Sequence, residues 1–259
     1  MWLFWILIGE LSLSAQNGFT NWRKFTEEDG LGVKYAYSLA EDKLGFIWLG
    51  AGDGLYRYDG HEFKSFYNAD DSAGNSINSL LLKVLYDANY NRLWLASMND
   101  LKYFDLNDYT FHALNTEGLT SPLAPNEFKH LLKTGPHTLW LANGAQIFEY
   151  NIIENSWKEI SRRIKFPADC SQAYFKCYSF DENHVLLMAA NYLFVLNTHD
   201  FSLDHTIKKE TGQSFQNAYY DATNETIYIA GNNSLITYSL KDKIKNSYSE
   251  DYTTEETPN

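Results

Sequence analysis

A tryptophan returns along this chain at near-constant spacing. "FIWLGAGDGLYRYD" carries Trp48, "RLWLASMNDLKYFD" carries Trp94 and "TLWLANGAQIFEYN" carries Trp140. Two further segments, "VLLMAANYLFVLN" and "TIYIAGNNSLITYS", repeat the surrounding pattern with Leu187 and Tyr228 in the tryptophan's place. The intervals are 46, 46, 47 and 41 residues. Such a repeat constrains a chain more than any single motif. Each copy has to fold as the same supersecondary unit and bury its apolar face against its neighbours.

Each unit reads as four strands. In the first, "KYAYSLAED" is a strand ending at Asp42, and "DKLG" turns, with Asp and Gly where turn chemistry places them. "FIWLGA" is the second strand, "GDG" the next turn, and "LYRYD" the third strand, alternating with period two. "EFKSFYN" is the fourth. No stretch of ten or more residues carries a helical period. "SINSLLLKVLYD" (Ser76 to Asp87) comes closest, and it aligns with the first strand of the second unit. A period of this size also allows a β-solenoid, but four turn-delimited strands per repeat suit a propeller blade better. The fold class predicted is therefore all-β, a β-propeller of four-stranded antiparallel blades. About five blades are present, at 32–68, 77–115, 126–160, 174–206 and 215–248 within a propeller of 19–248. Trp48, Trp94 and Trp140 fill the wedges between blades, a role for a large rigid side chain.

Composition narrows the function classes. Aromatic residues make up 16% of the chain and apolar residues 44%, so it is a folding composition. The formal net charge is −12, with no basic footprint of the kind that displaces counterions from nucleic acid. Nucleic acid is excluded as a partner, and an anionic membrane surface is disfavoured for the same reason.

The first 15 residues, "MWLFWILIGELSLSA", hold a short apolar run and a small-residue cleavage pattern. They read as a secretory signal at 1–15 that leaves Gln16 first, which predicts a periplasmic protein. The run is too short to cross a bilayer, which takes about 20 apolar residues, and no other segment is apolar enough. Export permits a disulfide between Cys170 and Cys177. Two buried thiols are the alternative, and two ligands do not make a structural zinc site. No metal or other cofactor is expected. The tail at 249–259 is polar and acidic.

At "FTEEDGLGVKYAYSLAEDKLGFIWLGAGDGLYRYDGHEFKSF" (Phe25 to Phe66) the chain resembles the two-component regulator propeller repeat. The matching positions are Asp29-Gly30-Leu31, Asp42, Gly45 to Trp48, and Gly54 to Asp59. Unit two keeps Asp87, Trp94 and "YFD", unit three keeps Trp140, and the last two keep the strand pattern with Asp181 and Asp221. The resemblance implies an extracytoplasmic sensor of a hybrid histidine kinase, whose ligands are generally oligosaccharides. In that family two seven-bladed propellers typically precede a β-sandwich, a membrane helix, a kinase and a DNA-binding regulator. Five blades then imply an incomplete seven-bladed propeller, lacking kinase and DNA-binding parts, with exposed end faces that take further blades or self-associate. Family analogy makes Phe19 to Thr26 an outer strand of the last blade. Lys243 to Tyr248 competes for that role, which is a second sign of missing blades.

The loops between second and third strands recur as "GAGDG", "SMND", "NGAQ", "AANY" and "GNNS". They bring Asp53, Asn99, Asn143, Asn191 and Asn232 around one mouth, where amides and carboxylates match the hydroxyls of an oligosaccharide or other small ligand. The same residue types also suit left-handed turns, and this alternative stays open. The loops leading into the inner strands add Lys34, Tyr35, Asn78, Asn126, Lys176 and Gln216. No enzyme is expected. "SLAEDKLGFIW" resembles a sialidase Asp box with one extra residue, but Asp boxes are turns rather than catalytic groups. The 5 Arg fall at no repeated loop position, and the 7 His lack a metal-ligand spacing. The rival readings are a protein-interaction scaffold, a propeller-fold carbohydrate-active enzyme and a gene remnant.

Overall fold

The computed structural model describes residues 24–33, 35–66, 80–97, 100–116, 119 and 129–249. The signal segment at 1–15 and the tail from 250 onward lie outside them. The described residues form five separate four-stranded antiparallel sheets. The first comprises β1 (Ala36–Glu41), β2 (Ile47–Ala51), β3 (Leu55–Tyr58) and β4 (Phe63–Phe66). The second comprises β5 (Leu81–Asp87), β6 (Arg92–Ser97), β7 (Leu101–Asp105) and β8 (Thr110–Ala113). The third comprises β9 (Lys129–Gly135), β10 (Thr138–Asn143), β11 (Gln146–Asn151) and β12 (Ser156–Glu159). The fourth comprises β13 (Lys176–Ser179), β14 (His184–Met188), β15 (Tyr192–Asn197) and β16 (Leu203–Lys208). The fifth comprises β17 (Asn217–Asp221), β18 (Thr226–Ala230), β19 (Ser234–Ser239) and β20 (Lys245–Ser249). Each sheet is a simple meander, as the turn-punctuated sequence predicts. The inner strands β1, β5, β9, β13 and β17 touch in that order.

Strand register fixes which side of each blade a residue faces. One row runs Ala40–Trp48–Arg57–Lys64 across the first blade and Leu85–Trp94–Tyr103–His112 across the second. The third blade has Leu132–Trp140–Glu149–Lys158 in this row. All three tryptophans are fully buried and face the next blade. Trp48 packs with Leu81, Leu93 and Leu95, Trp94 with Leu131, Leu139 and Leu141, and Trp140 with Phe175, Val185 and Leu187. Leu187 thus looks back toward Trp140. The fourth blade's forward row is Tyr178–Leu186–Val195–His205, and Leu186 packs on Ile227, Ile229 and Ile236. The tryptophan's place therefore belongs to Leu186, 46 residues after Trp140, and not to Leu187. Side chains alternate with period two, so an alignment slipped by one residue points to the opposite face.

The Asp before each first turn also has a packing reason. Asp42 accepts the indole N–H of Trp48 at 2.8 Å on one oxygen. Its other oxygen takes the amides of Leu44 and Phe46 at 2.8 and 3.1 Å. Asp87 repeats this with Trp94 at 2.9 Å and Asn89 at 3.0 Å, and adds an ion pair to Lys133 of the third blade. One carboxylate thus closes the turn and satisfies the buried indole. The third unit lacks this Asp, and Trp140 donates instead to Glu149 at 3.1 Å. Gly45 and Gly54 hold φ of 82° and 143°, the region that favours glycine. Asp59 closes the β3–β4 turn on the amides of His61 and Glu62 at 2.8 and 3.0 Å. At Gly50 a Cβ would stand 2.8 Å from the Leu81 carbonyl oxygen, because the inner strand of blade two crosses there. Ala96 and Ala142 fill the equivalent positions.

The five sheets are not closed into a ring. Leu39 on the back of the first blade is 64% exposed, and Tyr219 on the front of the fifth is 67% exposed. Phe25 covers part of the first face, its ring 5.0 Å from Tyr58 and 5.1 Å from Phe63. Of the segment expected as a donated outer strand, the described part, Lys24 to Thr26, is not a strand, and the fifth blade's outer strand is β20. Openness has a measurable consequence. Leu39→Ala and Tyr219→Ala should each change unfolding stability by within about 0.5 kcal/mol, as surface substitutions do. In a closed ring both would lie between blades and each would cost about 2–5 kcal/mol. Urea unfolding distinguishes the two.

The disulfide that export would permit between Cys170 and Cys177 is not formed, and both are free thiols. Cys177 is buried in the core between blades three and four, and burial pushes its thiol up to about 12. Cys170 packs at the edge of the same cluster, from a turn closed by its N–H on the Pro167 carbonyl at 2.9 Å.

Candidate functional site

The second strand of each blade runs outward to the loop that joins it to the third, so these loops share one rim of the arc. At that rim the polar residues predicted as a ring have different fates. Asp53 accepts the hydroxyl of Tyr56 at 2.8 Å, and burial together with Asp53 pushes that phenol up to about 12. Asn191 takes the amide of Ser171 and donates to the carbonyl of Asp169, both at 2.8 Å. Both ends of its amide therefore brace the long excursion between β12 and β13. Asn232 accepts from the side-chain amide of Gln216 at 3.0 Å, joining a loop residue to the approach of β17. Tyr35 is 69% exposed beside the start of β1. Lys34, Asn78, Asn99 and Asn126 lie outside the described residues, as does the side chain of Asn143 at the end of β10. Of the predicted residues, the structure brings together Gln216, Asn232 and Lys176, whose ammonium donates to the Gln216 carbonyl at 2.8 Å.

Below this rim lies a row that the loop reading missed. On the inner strands, the position two residues from the tryptophan row toward the rim is Ser38, Lys83, His130, Lys176 and Asn217 in blades one to five. The register shows this, because their partners on the second strands are Gly50, Ala96, Ala142, Met188 and Ala230. Ser38 is consumed between blades, its hydroxyl accepting the Val84 amide at 3.0 Å. The other four bring two ammonium groups, an imidazole and an amide to one level. Burial lowers the pKa of Lys83 and of Lys176, and among the described residues no carboxylate counters it. Burial also pushes His130 down to about 4, with Lys176 and Lys83 adding repulsion. Tyr178 stands 5.9 Å from the His130 ring and donates to Asn217 at 3.0 Å. A signal was present in the sequence: Lys83, His130 and Lys176 are 47 and 46 residues apart, the repeat period itself.

The opposite rim carries a groove of about 670 Å³, lined by Lys133, Ser179, Asp181, Asn183, His184 and His199 among others. His184 sits with Nδ1 2.8 Å from Asp181 and Nε2 3.0 Å from Asp204. Both nitrogens face carboxylates, which leaves neither for a substrate proton. Among the described residues no group of three or more His, Cys, Asp or Glu side chains is placed to hold a metal.

No protein-family profile matches the chain. The extracellular domain of the hybrid two-component system BT3049 from B. thetaiotaomicron superposes with a TM-score of 0.68 at 20% identity, over 88% of this chain and 32% of that one. This chain shares the fold of that extracellular domain, four-stranded blades of the propeller kind. The corresponding domain of BT4673 from the same organism matches with a TM-score of 0.66 at 15% identity, over 85% of this chain and 29% of the other. "Histidine kinase P4" of Formosa agariphila is 41% identical over 58 residues, 22% of this chain and 4% of that protein. The chain thus spans about a third of the sensor domains it matches and a small part of the kinase. The two structural neighbours are extracellular domains of two-component systems. Among the described residues no helix is long and apolar enough to cross a membrane.

Proposed function

We propose that this chain is a ligand-binding module of an extracytoplasmic two-component sensor, taking a saccharide at the rim formed by the loops between second and third strands. The observation that carries this reading is the level of Lys83, His130, Lys176 and Asn217 beneath the Gln216–Asn232 pair. Donors and acceptors converge there from four blades, and a repeated scaffold holds them at one height. Such convergence suits the many hydroxyls of a sugar, each of which is both donor and acceptor. Tyr35 offers a nearby ring face for a pyranose. A sensor of this kind changes no covalent bond; it passes on the binding free energy as a change of shape or contact.

Calorimetry against an oligosaccharide panel tests the reading. Binding is expected to weaken at least tenfold in Asn217→Ala and Asn232→Ala. Binding unchanged in both would move the site away from this rim. Turnover of a glycan, lost on changing one Asp or Glu, would replace the sensor with an enzyme. Export is checked separately: mass spectrometry of the periplasmic fraction should find a chain beginning at Gln16. A chain found only in the cytoplasm with Met1 intact would refute the signal.

A further inference from the structure

We infer that the ligand taken at this rim is anionic, a saccharide bearing carboxylate or sulfate groups bound between Lys83 and Lys176. The inference rests on the binding reading above and names the chemistry of its ligand. It starts from a contrast with three lysines whose ammonium groups are paired. Lys133 and Lys245 are each 19% exposed, and each has a carboxylate partner, Asp87 and Glu210. Even the well-exposed Lys208 is paired, with Asp169. Lys83 and Lys176 are also largely withdrawn from water, yet among the described residues neither has a carboxylate partner. Lys176 has only a backbone carbonyl, that of Gln216.

The chain has 33 acidic residues against 21 basic ones, so carboxylates are not scarce. A buried ammonium without a counter-ion is destabilising. Here two occupy the same register position in blades two and four, with His130 at that position between them. Burial, and after it the repulsion of the two lysines, keeps the imidazole neutral at physiological pH, where it still offers one donor and one acceptor. An anionic group seated there gains two charge-assisted hydrogen bonds and relieves the repulsion. A neutral sugar leaves both charges uncompensated. The net charge of −12 works against anion capture from a distance, so selectivity has to come from these local groups.

The test pairs each charged saccharide with its neutral counterpart. Tetragalacturonate is compared with its methyl ester, and sulfated isomaltotetraose with the plain sugar, by calorimetry at low salt and with salt raised tenfold. At least one charged form should bind tenfold or more tightly than its neutral partner, and which one does identifies the anionic group. The advantage should shrink with salt and vanish in the Lys83→Met, Lys176→Met double variant. That variant should melt no lower than the native protein without ligand, since it removes two desolvated charges. Neutral forms binding as tightly as charged ones would overturn the inference and leave the saccharide reading standing. A charged-form advantage surviving in the double variant would also overturn it. Binding of none of the four sugars would overturn both.

Discussion

Trp94→Ala is expected to lower the unfolding free energy by about 3–5 kcal/mol, the range for emptying a fully buried tryptophan site. Trp94 is inaccessible to solvent and fills the wedge between blades two and three, against Leu131, Leu139 and Leu141. Asp87→Ala should cost a similar amount, about 3–5 kcal/mol, for a different reason. Asp87 is itself fully buried, and its loss strands the Trp94 indole and the Asn89 amide and leaves the Lys133 ammonium with only the Asn89 side-chain oxygen. The two effects share the indole hydrogen bond, so the double variant should lose less than the sum. A double-mutant cycle by urea unfolding is expected to give a coupling of about 1–3 kcal/mol. Additive losses would mean that the Asp holds only its turn and not the tryptophan.

Acid should loosen the molecule through His130 before it reaches most carboxylates. Burial, then Lys176 and Lys83, push this imidazole from 6.5 down to about 4. The folded state therefore favours the neutral ring, while the unfolded chain takes up a proton near the ordinary value. The contribution to stability is whole above about pH 6.5 and is lost as pH falls toward about 4, where the folded ring also protonates. Its size is about 3 kcal/mol. Carboxylates such as Asp59, held low by the amides of Glu62 and His61, contribute their loss only below that window. In His130→Gln the stability between pH 6.5 and 4 should be nearly flat. A variant as steep as the native protein over this range would place the proton uptake elsewhere.

Much of the fold was legible because it is local. Strands announce themselves by alternation and turns by Asp, Asn and Gly, and both recur at a period that a reader can count. Hence five meanders and buried tryptophans followed from residues alone, while the open arc was what the family resemblance implied. The turn Asp was visible as a motif, but its second task, taking the indole N–H of Trp48 or Trp94, appears only when the two strands pair. The site was read less well for a physical reason. Loop asparagines attract attention because their chemistry matches sugars, yet Asn191 spends its amide on the backbone of the excursion between β12 and β13.

The sequence by itself determined the repeat, the strand count and the residues that fill the wedges, since hydrophobic period and turn chemistry are properties of neighbouring residues. Only the tertiary structure decided facing and level. Leu186 and Leu187 are equally apolar, and register alone turns one forward and the other back. Lys83 pairs with Ala96 in unbroken register from Leu85 and Trp94, and β5 becomes irregular only beyond it, between Leu81 and Lys83. The same unbroken pairing, two residues from the tryptophan row, brings Lys83, His130 and Lys176 to one height on three different strands. Long-range pairing sets such heights, because one extra residue in a strand moves every side chain beyond it to the other face.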